Sequence, residues 1–267
     1  MKRFIPFIPK DPVVSVVTLS GVIAASARGG TLSDSALAPA IERAFSRGKP
    51  AAVALVLNSP GGSPAQSSLI AARIRRLAEE KKIPVHAFVE DVAASGGYWL
   101  ACAADDIWVD DSSIVGSIGV ISAGFGFTEA IARIGIERRL HTAGSNKSLL
   151  DPFRPESPEE VARLRTLQDQ IHASFIAHVK ARRGDRLSTD EDIFTGQFWA
   201  GQRAVDLGLA DGVAHAVPKL KALYGDKTRF QKFGPKRGLF QRFGASVTAE
   251  LTAGIEDRAL WSRYGLS

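Results

Sequence analysis

The chain is predicted to fold as an α/β protein with mostly parallel strands, and three observations carry the prediction. Short β-branched runs alternate with stretches of helical periodicity through the first two-thirds of its 267 residues. The runs Val13–Leu19, Ala52–Leu57 and Val85–Val89 are apolar at nearly every position, the pattern of strands covered on both faces. The second and third break into glycine-rich turns, Asn58-Ser59-Pro60-Gly61-Gly62 and Ala94-Ser95-Gly96-Gly97, just before the next helical stretch. Strand–crossover–strand units of one parallel sheet have this form.

In order along the chain, Val13–Leu19 reads as the first strand and Asp34–Arg47 as a helix capped by Ser33 or Asp34. Ala52–Leu57 is the second strand. Pro64–Lys82 follows as a long amphipathic helix, with Leu69, Ile70, Ile74 and Leu77 assigned to its apolar face. Val85–Val89 is the third strand, and a helix opens at Gly96 and runs to Ala104. Ile107–Val109, Val115–Ile121 and Ile136–His141 are expected as strands, with a helix at Thr128–Ile134 between the last two. Glu156–Arg183 reads as a long helix, Phe194–Leu209 as a short helical arm and Val217–Tyr224 as a last helix. The division expected is a short arm over 1–12, one domain over 13–227 and a basic aromatic tail over 228–267.

Composition excludes several classes. Cys102 is the one cysteine, so neither an intrachain disulfide nor a cysteine-rich metal site can form. The five histidines have no metal-ligand spacing, and no metal or cofactor is expected. Net charge is +6, but 228–267 carries seven basic and three acidic residues, leaving the body nearly neutral. Nucleic acid is not an expected partner. The first residues start like a signal peptide but are broken by Pro6 and Pro9 and lack a cleavage site. No run approaches the length needed to cross a bilayer. The expected location is the cytoplasm, with peripheral contact at the inner membrane left to the tail.

Three segments can carry chemistry. Adjacent glycines at 61 and 62, between a buried strand and a helix, leave backbone N–H groups uncovered and able to bind an oxyanion. A tight turn that simply needs glycine is the plainer reading. Ser95 stands at a helix start among small residues, where its hydroxyl can be reached and where the Gly96 N–H adds a donor; capping the helix is its alternative role. A nucleophilic serine needs a base. His86 sits on a strand and His141 at an expected strand end, and neither is well placed. Lys147, in Ala143-Gly144-Ser145-Asn146-Lys147-Ser148, can be a solvated charge or a base. That loop is no phosphate-binding loop, because Asn146 and His141 stand where its glycines belong.

Taken together and in this order, Asn58-Ser-Pro-Gly-Gly62, Ala94-Ser-Gly-Gly-Tyr98, Gly116-Ser-Ile-Gly-Val120 and the Lys147 loop resemble the S49 peptidases, the signal peptide peptidase A group in its short, single-unit form. The resemblance covers roughly 13–213. It implies a crotonase/ClpP-like spiral α/β fold, subunits assembled into a ring or dome, and a serine endopeptidase acting on peptides such as signal-peptide remnants or small apolar segments. It also implies Ser95 as nucleophile, Lys147 as general base, Ser117 as the residue orienting that lysine, and Gly61, Gly62 and Gly96 as oxyanion donors. Lysine is a base only when neutral, so Lys147 is expected to be buried in the assembled enzyme.

Three rivals share the fold. A crotonase-type acyl-CoA enzyme would need carboxylates over a thioester, and Glu90 and Asp91 are the only nearby pair. A silent scaffold would have no reason to keep both Ser95 and Lys147. A ClpP-like triad fails because Gly119 stands where its histidine would fall. In the tail, Phe230, Phe233, Phe240 and Phe243 among basic residues could meet anionic lipid or clip onto a neighbouring subunit.

Overall fold

A computed structural model describes residues 11–25, 31–144, 146–234 and 258–266. Most of the expected arm at 1–12 and much of the tail, with Phe240 and Phe243, lie outside the described residues.

The strands are β1 (Val13–Ser20), β2 (Ala52–Ser59), β3 (Val85–Ala94), β4 (Asp106–Val109), β5 (Ile114–Gly116), β6 (Phe198–Ala200), β7 (Gly212–Val213) and β8 (Arg229–Phe233). They form one sheet with a central path β6-β5-β3-β2-β1-β8, and β4 and β7 branch from β3. Every strand pairing is parallel except β5 with β6. This is the mostly parallel α/β arrangement with helical crossovers that the sequence predicted.

Helices α1 (Asp34–Ser46), α2 (Pro64–Lys81) and α3 (Gly96–Ala101) cover one face of the sheet. Beneath them Leu55, Leu57, Ala87 and Val89 join Ile41, Ile70, Ile74 and Leu100 in the main core. The opposite face, Val14, Ala54 and Phe88, packs against Leu220 of α7 (Ala216–Tyr224). Ser33 caps α1 by accepting from the Ala36 N–H, and Ser63 caps α2 through the Gln66 N–H, each satisfying an amide that has no partner within its helix. On α2 the buried stripe is Ser67, Ile70, Ala71, Ile74, Leu77 and Ala78. Leu69 falls off that stripe and is exposed, because one residue turns the helix by about 100°.

Beyond β5 the chain departs from its predicted elements. Residues 136–141 form no strand; they lie in a long exposed stretch that also holds α4 (Thr128–Arg133). Helix α5 (Pro158–Arg183) then returns to the core through Phe175 and Val179. Its end is pinned by Arg183, whose Nη1 meets Asp211 at 2.7 Å and whose Nε donates to the Gly208 carbonyl at 2.8 Å. The arm predicted as helical at 194–209 opens with β6 and only then becomes helix α6 (Gly201–Asp206). Residues 229–233, read as the start of the tail, are strand β8 on the edge of β1. Phe233 is thereby buried and Phe230 packs against the second core, so neither ring is free to meet lipid.

Candidate active site

Strand β3 divides its pairing. Its first half runs with β4 and its last three residues with β5, so Ala94 faces Gly116 across the ladder. Ser95 and Ser117 therefore leave the sheet side by side, and the Ser95 N–H donates to the Gly116 carbonyl over 2.8 Å. Both serines hold left-handed backbone, φ 52° and 51°, a conformation that L residues adopt at a cost. Ser95 does not cap α3 with its side chain. That removes the plain structural role open to it in the sequence and leaves its hydroxyl without that partner.

The glycine turn after β2 closes on the same point. A methyl group built on Gly61 (φ +100°) would sit 2.7 Å from the Gly96 nitrogen and 2.9 Å from Ser95 Cβ. One built on Gly62 (φ +138°) would strike the Ile23 carbonyl oxygen at 2.1 Å, and one on Gly96 would meet Ser67 Oγ at 2.4 Å and the Gly62 nitrogen at 3.3 Å. Backbone must pass backbone here, which is why these positions take glycine. The Gly61 N–H donates to Ser59 Oγ over 3.2 Å. The N–H groups of Gly62 and Gly96 have no acceptor among the described residues. Two adjacent uncommitted N–H groups beside a strained serine can receive a negative oxygen.

Gly61, Gly62, Ser95, Gly96 and Ser117 are thus brought together, and Lys147 is not. Its side chain is exposed, and no ion pair or side-chain hydrogen bond holds it among the described residues. It belongs to the same outlying stretch as Ile121, Phe125 and Ile134, which are 63%, 81% and 70% exposed.

The other chemistry-bearing residues have structural partners. His86 is buried, its Nδ1 2.8 Å from Asp106 and its Nε2 2.7 Å from the Tyr224 hydroxyl, tying α7 to the sheet. His141 is exposed. His172 and His178 contact the carbonyls of Ile118 and Trp99 through Nε2 at 2.9 and 3.1 Å, and burial holds the His178 imidazole below its ordinary range. Burial also pushes the Cys102 thiol up to about 12. Among the described residues no group of carboxylates, histidines or cysteines could hold a metal ion, and no helix is long and apolar enough to cross a membrane.

Sequence reading missed four contributors. Ser59 holds the Gly61 N–H, and Ser67 lies under Gly96 while donating to the Ser63 carbonyl over 2.9 Å. The Gln197 carbonyl accepts the Ser117 N–H over 2.6 Å, and Tyr264 contacts Ser117 from the far end of the chain. Ser59 stood within the first glycine-rich motif; nothing local marked the other three.

Comparison with known proteins adds the following. The model of the family described as peptidase family S49 matches residues 77–223. The Na(+)/H(+) antiporter NhaA of Brucella melitensis is 47% identical over 286 residues, covering 100% of this chain and 39% of that protein. The chloroplastic serine protease SPPA of Arabidopsis thaliana is 34% identical over 172 residues, 62% of this chain and 25% of that protein. The chain thus spans well under half the length of both. Among solved structures, the 1510-N membrane protease specific for a stomatin homolog from Pyrococcus horikoshii superposes with a TM-score of 0.46 at 16% identity, covering 93% of this chain and 100% of that one.

Proposed function

The chain belongs to peptidase family S49, and on that premise we propose that it is a serine endopeptidase with Ser95 as nucleophile and Lys147 as general base. The observation that carries the reading is the convergence of Ser95, in left-handed backbone, with the uncommitted N–H groups of Gly62 and Gly96. An acyl-transfer site needs a reachable nucleophile beside donors aimed where negative charge develops.

The steps follow from these groups. The neutral Lys147 amine takes the Ser95 hydroxyl proton as Oγ attacks the scissile carbonyl carbon. The carbonyl electron pair moves onto oxygen, which the N–H groups of Gly62 and Gly96 receive, while Gly61 shapes the turn. Collapse breaks the C–N bond, and the lysine ammonium gives its proton to the departing amine. A water, deprotonated by the same lysine, then attacks the acyl carbon, and as the C–Oγ bond breaks the lysine ammonium returns its proton to Ser95 Oγ, freeing the acid and the neutral amine. No cofactor enters these steps. Ser117, beside Ser95, orients the lysine.

In a single chain the Lys147 side chain is exposed, whereas a lysine serves as a base only where its amine is neutral. The proposed enzyme is therefore a homo-oligomer, a ring or dome, in which a second copy covers the outlying stretch. The exposed rings of Phe125, Phe127 and Phe153, whose centroids lie 6.3 and 5.7 Å apart in succession, support this, since scattered apolar exposure is ordinary but a contiguous apolar patch marks a contact surface. Covering it would take the amine out of water, and burial disfavours the charged form of a lysine. Peptide substrates at small or apolar residues, a cytoplasmic site and peripheral lipid contact by the tail are part of the same proposal. The test is turnover of a fluorogenic peptide by the purified oligomer. Ser95→Ala and Lys147→Ala should each abolish it with oligomer size unchanged, whereas turnover surviving in Ser95→Ala would refute the assignment.

A further inference from the structure

The Ser117 hydroxyl, assigned above to hold the lysine amine, already has a partner. Tyr264 Oη donates to Ser117 Oγ over 3.3 Å. The tyrosine is 7% exposed, and its ring meets Phe198 of β6 edge-on, with centroids 5.2 Å apart and planes at 72°. It packs on Val92 and Ala94 of β3 in a small separate cluster, with Ile114, Trp261 and Leu266 around it. Leu266 also walls a cavity of about 520 Å3 that runs past Glu90, Asp91 and Ser113. Residues 258–266 are therefore seated on the ends of the strands that carry Ser95 and Ser117.

Two facts about the site then belong together. Ser117 is 7% exposed with the ring in place, and Tyr264 already donates to its hydroxyl. Lys147, the group expected there, stands in solvent. We propose that segment 258–266 is an autoinhibitory latch, in which Tyr264 holds the Ser117 hydroxyl in place of the Lys147 amine. The latch rests on the serine–lysine reading given above. Its release frees the Ser117 hydroxyl for the amine and uncovers the face formed by Val92, Ala94 and Ile114, beside the cavity, for a peptide.

The experiment compares the purified full chain with Tyr264→Phe, Tyr264→Ala and a chain lacking 258–267, reading kcat/KM on a fluorogenic peptide, with Ser95→Ala as control. Tyr264→Phe keeps the ring against Phe198 and loses the hydroxyl, and should raise kcat/KM about two- to tenfold, the worth of one net hydrogen bond. Tyr264→Ala and the shortened chain should raise it roughly ten- to hundredfold, the scale of one buried aromatic side chain. A synthetic peptide of sequence 258–267 should inhibit the shortened chain. Where the shortened chain does not fold, full-length Tyr264→Ala decides. Wild-type rates in both Tyr264→Ala and Tyr264→Phe, with Ser95→Ala dead, would overturn the latch and leave the serine–lysine reading standing. Absence of Ser95-dependent turnover in every chain would overturn both.

Discussion

Replacing Gly61 by alanine tests whether the two glycine turns must touch for the site to work. The added methyl carbon would stand 2.7 Å from the Gly96 nitrogen, 2.8 Å from the Ala94 oxygen and 2.9 Å from Ser95 Cβ. The first two are backbone atoms, so no flexible side-chain end can swing away. To restore an ordinary contact of about 3.4 Å the Gly96 nitrogen must retreat by about 0.7 Å from its 2.7 Å position, carrying its N–H with it. The substituted residue would also be held at φ +100°, at a strain of about 1–3 kcal/mol. At roughly 2–4 °C per kcal/mol for a domain of this size, melting should fall by several degrees. Loss of one oxyanion donor costs about 10²–10³ in kcat. Peptide turnover and thermal melting of the intact oligomer measure both quantities. A Gly61→Ala chain with kcat within twofold of wild type and an unchanged melting temperature would refute the close approach and the donor role built on it.

Two further predictions concern the body of the fold. Cys102 is fully buried, and its thiol is pushed up to about 12. It should therefore resist alkylation at pH 8 in the native protein and react only on unfolding, and rapid native labelling read by mass spectrometry would contradict its placement. The Arg73 guanidinium, bonded to both Asp34 oxygens at 2.8 Å, holds that carboxyl below its usual value against the opposing effect of burial. Stability from a depressed carboxyl is complete above its unfolded pKa of about 4 and is lost as pH falls through the lower folded value. Asp34→Asn should thus be less stable than wild type at neutral pH, with the gap closing on acidification below about pH 4. A gap that stays constant in denaturant midpoints down to pH 2.5 would contradict the pairing.

The parts of the fold legible in the sequence are those where local and tertiary preferences agree. Ser33 and Ser63 cap their helices as their positions suggest, and β1 to β3 fall on the continuous apolar runs. Failures came where pairing or its absence overrode the local pattern. Ile136–His141 has strand-like composition but no pairing strand among the described residues to complete its hydrogen bonds, and β propensity has little meaning without one. Residues 198–200 sit in a helical pattern yet pair antiparallel with β5. Arg229–Phe233 looks like tail because of its charge, but it binds the open edge of β1. In the site, the glycine turns and Ser95 could be read because close backbone approach demands particular residues. Tyr264 could not, since 147 positions separate it from Ser117 and only the folded chain joins them.

The account stands on Ser95 being the activated nucleophile, and the direct measurement is covalent labelling by a fluorophosphonate, located by peptide mass spectrometry on the purified oligomer. The prediction is one adduct, on the peptide carrying Ser95, absent in Ser95→Ala, formed at least tenfold more slowly in Lys147→Ala and faster in the chain lacking 258–267. Labelling elsewhere, or labelling of Ser95 at the same rate without the Lys147 amine, would contradict it.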